Sequence, residues 1–230
     1  MIETSTLEKA AERIVSRRTF FGITAALAGA GLLVTPGCKK ADDPGLAIGT
    51  GDTSVMNYVY VIEQLQAAFY TQVLTTQATY TGGNAWMSAL ELVYFTDLRN
   101  HDVAHREYFK NVLANSAIIQ LEFDFSTIDF RSRTSVLESA IYFKDISVAA
   151  YNGIAYTLAS SDTLTMFGKI SSVEARHSAA LHDIRLGGSF ANPNQVDSVS
   201  GMDLSKSSYD VMNAISPYIK TKFDLTQLPS

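Results

Sequence analysis

The chain contains one cysteine, Cys38, in 230 residues, so no disulfide can form within it. It also lacks any basic stripe. Lys and Arg total 18 against 23 Asp and Glu, a formal net charge of −5. With no cationic face to neutralise phosphates, nucleic acid is excluded as a partner. Long hydrophobic runs are missing too. The most apolar stretch ends at Val34 and covers about 15 residues, short of the roughly 20 that span a bilayer. Histidine is scarce, with four in the chain. What remains is ordinary for a globular protein, 47% hydrophobic and 18% charged. That is enough to bury one sizeable core.

The first residues stand apart from that core. Ser16, Arg17, Arg18, Thr19, Phe20 and Phe21 form a twin-arginine export signature. The Gly- and Ala-rich run from Gly22 to Val34 follows. A charged start, a short apolar middle and small residues near the end read as a signal peptide over residues 1–38. A single membrane-spanning helix is the alternative reading of that run. Cys38 follows Thr35, Pro36 and Gly37, in a pattern that resembles a bacterial lipoprotein cleavage site. There the cysteine becomes the lipidated first residue, which would make a membrane the partner through a lipid anchor on Cys38. Gly37 fits that pattern, whereas Thr35 stands in place of the usual leucine and Pro36 is unusual. Residues 39–52 are rich in Gly and Asp and read as a flexible tether. The expected location is the cell envelope, periplasmic or membrane-anchored, after export by the twin-arginine route.

Four helical patterns follow over residues 53–190. Helix A is expected from about Thr53 to Leu74 and helix B from about Ala85 to Leu113, with Gly82 and Gly83 between them as breakers. Helix C is expected to begin near Ser135, whose spacing to Glu138 is that of a capping box, and to end near Leu158. Helix D runs from about Asp162 to Leu186 and stops at Gly187 and Gly188. Leu121 to Phe130 alternates apolar and polar residues, as an extended segment does. The expected fold is all-α: two hairpins forming a four-helix bundle with one long crossover between helices B and C. Residues 191–230 make a C-terminal tail that packs on the bundle, with one short helix near Ser208 to Ile215.

The core stripes carry polar residues that do not belong there. Helix A presents Met56, Val59, Glu63, Gln66, Tyr70 and Val73 on one face, and helix B presents Leu98, Asp102, His105, Phe109 and Val112. Helix C presents Leu137, Ile141, Lys144, Val148, Tyr151 and Leu158, and helix D Ile170, Glu174, His177, Leu181 and Ile184. His101 and His182 fall off these stripes and read as surface residues. Asp102 precedes His105 by three residues, as Glu174 precedes His177, so each pair projects from one helix face. A bundle that holds two metal ions takes a Glu from each of two helices and Glu-x-x-His from each of the other two. This chain supplies Glu63, Asp102, His105, Glu174 and His177 for five of those places, and Lys144 for the sixth. Charges on an apolar stripe are costly unless they meet one another or a metal. The bland alternatives are a hydrogen-bonded Asp102–His105 pair, and a buried Glu63 bonded to a core tyrosine. Tyr70 and Tyr151 read as core phenols with hydrogen-bond partners.

Residues Glu63–Tyr70, His101–Arg106, Val148–Tyr151 and Ser172–His177 resemble the exported ferritin-like proteins of the desiccation-related type. The likeness covers roughly residues 53–190. It implies a di-iron carboxylate fold in which Glu63, Asp102, His105, Glu174 and His177 occupy ligand positions. Three places depart from the family: Asp102 stands for Glu, Gln66 often stands where it has Glu, and Lys144 replaces the helix C Glu.

Charge counting gives Lys144 its meaning. Four Glu and two neutral His would carry −4, matching two divalent ions. Glu63, Asp102 and Glu174 carry −3, and a protonated Lys144 brings the sum to −2. An ammonium has three donors and no acceptor, so it bridges carboxylates in a metal's stead. A buried, neutral lysine that coordinates is the alternative, opposed by three nearby carboxylates. The expectation is a degenerate site holding one iron, manganese or zinc ion at most, or none, with weak or absent oxidoreductase activity. The alternative is an active di-metal oxidoreductase, ferroxidase-like, of the cell envelope.

Overall fold

The computed structural model describes residues 44–80, 86–191 and 193–230. The expected signal peptide, the twin-arginine signature and Cys38 lie outside these residues. The described residues form five α-helices: α1 (Gly51–Ala78), α2 (Ala89–Leu113), α3 (Arg133–Ile154), α4 (Ser161–Arg185) and α5 (Ser208–Ile215). None among the described residues is long and apolar enough to cross a membrane.

Serine starts four of them. Ser88 caps α2 by a full capping box: its hydroxyl accepts from the Glu91 amide, and Glu91 accepts from the Ser88 amide at 2.9 Å. Ser160 and Ser207 cap α4 and α5. At α3 the cap is Ser132, three residues before the expected one. The Ser135 hydroxyl instead accepts from the Asp129 amide, and Glu138 pairs with Arg185 at 2.9 Å. The earlier serine wins because its own backbone is extended, as an N-cap must be.

α1 packs chiefly against α2, and α3 against α4. The chain from 118 to 130 crosses over between these hairpins. It forms no ladder, only a bridge of Phe123 to Ile219, but Leu121 and Phe125 do bury alternate side chains. That crossover covers the outer side of α1. Asn57 donates to the Ile48 and Ser116 carbonyls and accepts from the Ile118 amide; Gln64 accepts from the Leu121 amide at 2.8 Å. α1 is therefore buried almost all round, rather than along the one stripe its pattern suggested. On α2 the stripe ends on Leu113, and Val112 is exposed, because Leu113 lies four residues beyond Phe109.

The tail lies along α3. The Lys206 amide donates to the Ala149 carbonyl, and a side chain at Gly153 would collide with the Lys206 carbonyl, so glycine is required there. α5 buries Val211, Met212 and Ile215. Within the span expected as a flexible tether, 39–52, the described residues are tied into the fold. Leu46 exchanges backbone hydrogen bonds with Lys222 and Asp224, Ile48 is buried, and α1 begins at Gly51.

Candidate metal centre

The centre of the bundle joins one polar residue from each of α1, α3 and α4 to two from α2. Glu63, Asp102, Lys144 and Glu174 have no solvent exposure, and the His105 side chain is 13% exposed. Ligand atoms of Glu63, Asp102, His105 and Glu174 all lie within 4.8 Å of one another. Four of the five expected ligands thus converge. The fifth, His177, stands beside them, its Nδ1 3.5 Å from Glu174 Oε1.

Lys144 sits in the middle. Its Nζ donates to Asp102 Oδ1 at 2.5 Å and to Glu174 Oε2 and Oε1 at 2.8 and 3.0 Å. It also lies 5.6 Å from the centroid of the Tyr70 ring. Burial alone would favour the neutral amine, but the carboxylates of Asp102, Glu174 and Glu63 outweigh it and raise the lysine pKa. The same ammonium, with His105 and His177, overcomes burial at Glu174 and holds that carboxyl well below its usual range. Burial dominates at the other two acids: Asp102 is raised well above its usual value and Glu63 is raised too.

His105 closes the cluster. Its Nδ1 stands 3.4 Å from Glu174 Oε1 and 3.5 Å from Glu63 Oε2, aligned with neither as a hydrogen bond. Burial lowers its pKa, but the two carboxylates prevail and it is pushed up to about 10. On the other side of Glu63, Tyr151 donates to Oε1 at 2.7 Å. Tyr70 differs from the expectation: its buried hydroxyl has no hydrogen-bond partner. Three acids against Lys144 and His105 leave −1, so the cluster is neutral when Glu63 or Asp102 keeps a proton.

Whether metal fits can be read from these atoms. The Lys144 ammonium, which has no lone pair to offer a metal, lies within hydrogen-bond distance of both Asp102 and Glu174. The spacing on the His105 side suits one ion. Neighbouring ligands of a tetrahedral ion with bonds of about 2.1 Å are about 3.4 Å apart, which is the spacing of His105 Nδ1 from Glu63 and Glu174. Glu63 Oε2, Asp102 Oδ2 and His105 Nδ1 are also buried without hydrogen bonds.

The two remaining histidines differ from their reading as simple surface residues. His101 is exposed, yet its Nδ1 lies 3.0 Å from His177 Nε2, with the two rings stacked within 5° of parallel. His182 is buried, its Nε2 3.1 Å from both oxygens of Asp145. The off-stripe face of α4 is covered by the tail, which single-helix periodicity cannot show. The i, i+4 spacing of Ser178 and His182 on that face was the available signal.

A family model described as a ferritin-like domain matches residues 51–186, from the first residue of α1 to just past α4. No curated protein matches the chain.

Proposed function

The chain belongs to the ferritin-like family, and from that premise we propose that it is an exported member whose two-metal centre has been replaced by an internal ion-pair cluster. One observation carries this reading: Lys144 spends three hydrogen bonds on Asp102 and Glu174 in the core. Losing a bridging carboxylate removes the ligand that would couple two ions, so two-electron oxidation is weak or absent. The cluster holds one iron, manganese or zinc ion at most, through His105, Glu63 and Glu174, a mixed imidazole and carboxylate set suited to these metals. Export by the twin-arginine route and a lipid on Cys38 would place the folded bundle at a membrane face in the cell envelope. The residues Arg17, Arg18 and Cys38 support that placement.

The test is metal stoichiometry. The purified protein is dialysed separately against excess Fe(II), Mn(II) and Zn(II), and bound metal per chain is measured. One ion or none is expected. Two per chain would overturn the reading in favour of an active di-metal oxidoreductase, which oxygen consumption with Fe(II) would then reveal.

A further inference from the structure

A second polar constellation lies on the side of α1 that faces the crossover rather than the buried cluster. There the crossover leaves a cleft of about 250 Å³ between itself, α1 and α2. Each helix lines it with two residues four apart, and therefore on one face: Tyr60 and Gln64 from α1, Arg106 and Lys110 from α2. Gln64 fixes the third wall. Its side-chain oxygen accepts from the Leu121 amide at 2.8 Å, and its Nε2 donates to the Ile119 carbonyl at 3.4 Å. The cleft is smaller than the roughly 300–1,000 Å³ of drug-sized sites, so it admits a few heavy atoms.

The charges in this lining do not cancel. Arg106 and Lys110 are cations and Glu107 is the one acid, which leaves +1 in a chain whose formal net charge is −5. Glu107 Oε1 accepts from Arg106 Nε at 2.9 Å and from Nη2 at 2.7 Å, so Nη1 stays unspent. No carboxylate pairs with Lys110 among the described residues, and its three N–H donors are free. Tyr60 is 3% exposed, yet its hydroxyl has no protein partner. Unlike the phenol oxygens of Tyr58 and Tyr70, that oxygen is not sealed from solvent. The phenol senses both neighbouring charges: burial and Glu107 raise its pKa, and Arg106 opposes them. Against these donors stand Glu107 Oε2 and the exposed Gln120, whose amide both donates and accepts. Donors are in excess.

We propose that this cleft binds a small oxyanion of the phosphate class, with the Lys110 ammonium, Arg106 Nη1 and the Tyr60 hydroxyl donating to its oxygens. Bonds from ionised donors to such an anion are about twice as strong as neutral ones. Phosphate has an oxygen for each of the three donors, whereas a carboxylate has two oxygens in all. A cation is disfavoured because it meets two positive groups and a carboxylate already engaged by Arg106. Glu107 competes with the anion for Arg106, and so limits its affinity. The site does not depend on metal.

Amide NMR shifts of Lys110 and Leu121, with the Arg106 Nε–H signal, read the site in the full-length protein. Sodium phosphate, sodium acetate and methylammonium chloride are each titrated near neutral pH against sodium chloride at matched ionic strength. Phosphate is expected to saturate these signals with Kd of about 10 mM or tighter. Acetate should bind at least threefold more weakly, and methylammonium should leave the signals unmoved. Methyl phosphate distinguishes the sources: binding as tight as phosphate supports an ester head, and loss of binding supports the free ion. Lys110→Met should weaken phosphate tenfold or more, and Tyr60→Phe about threefold. Glu107→Gln, which releases Arg106 and removes the acid, should tighten phosphate threefold or more. Melting temperatures check that each variant folds, and the titration of the unaltered protein stands whatever the variants do. No saturation beyond that of chloride, or shifts spread over other surface lysines (an adventitious ion only), would overturn the proposal. So would binding indifferent to Lys110→Met, or weakened by Glu107→Gln.

Discussion

Lys144 on α3 lies 2.5 Å from Asp102 on α2, and neither side chain touches solvent. The ammonium donates to Asp102 and to both oxygens of the Glu174 carboxylate. An ammonium has no lone pair to offer a metal. A buried ion pair of this kind draws its importance less from net stability than from what happens when one partner is removed.

Lys144→Met would leave Asp102 and Glu174 facing each other in the core without their cation. The expected loss is about 3–5 kcal/mol, read as a lower urea midpoint. Lys144→Glu restores a carboxylate at the sixth ligand place. It should raise bound metal by one ion per chain, measured by elemental analysis after dialysis.

Any ion that takes His105 Nδ1 must displace the proton held there by a pKa of about 10. One proton released per ion makes affinity rise about tenfold for each pH unit. Zinc titrations at pH 6, 7 and 8 should show that slope, and His105→Gln should remove both the slope and most of the affinity.

In metal-free protein the same group sets an alkaline limit. The folded value of about 10 lies above the ordinary 6.5, so His105 contributes stability fully below pH 6.5. That contribution shrinks above 6.5 and is lost as pH rises through 10. The melting temperature in EDTA should fall between pH 7 and 10, and His105→Gln should flatten the fall.

Two core tyrosines should respond oppositely to loss of the hydroxyl. Tyr151 donates to Glu63, which is wholly buried, so Tyr151→Phe should cost about 1–3 kcal/mol in urea unfolding. Tyr70 has no partner for its hydroxyl, so Tyr70→Phe should change stability by less than about 0.5 kcal/mol or raise it.

The helices were legible because each carries a stripe, and the stripes bring Glu63, Asp102, His105 and Glu174 onto facing surfaces. α5 appears at the span its pattern predicted, Ser208–Ile215. Charge counting could say that an ammonium at position 144 must meet carboxylates, but not which ones. The pairing of Glu63 with Tyr151, 88 positions apart, needs the hairpins docked. His182 was misread because the tail buries the second face of α4, and residues 44–50 because their Gly content hides a backbone pairing with the tail. In each case a segment distant in sequence supplies the burial, and no local pattern records it.

The division of the bundle into two hairpins has a consequence for folding. Each hairpin is local in sequence and can form quickly by itself. The cluster can assemble only when the hairpins meet, since Glu63 and Asp102 belong to one and Lys144 and Glu174 to the other. A pair docked one helical turn astray, about 5.4 Å, would bury those charges without partners. At about 3–5 kcal/mol for an unpaired charge, such an encounter dissolves before it consolidates. The cluster thus favours the one docking register in which its charges find partners across the two hairpins.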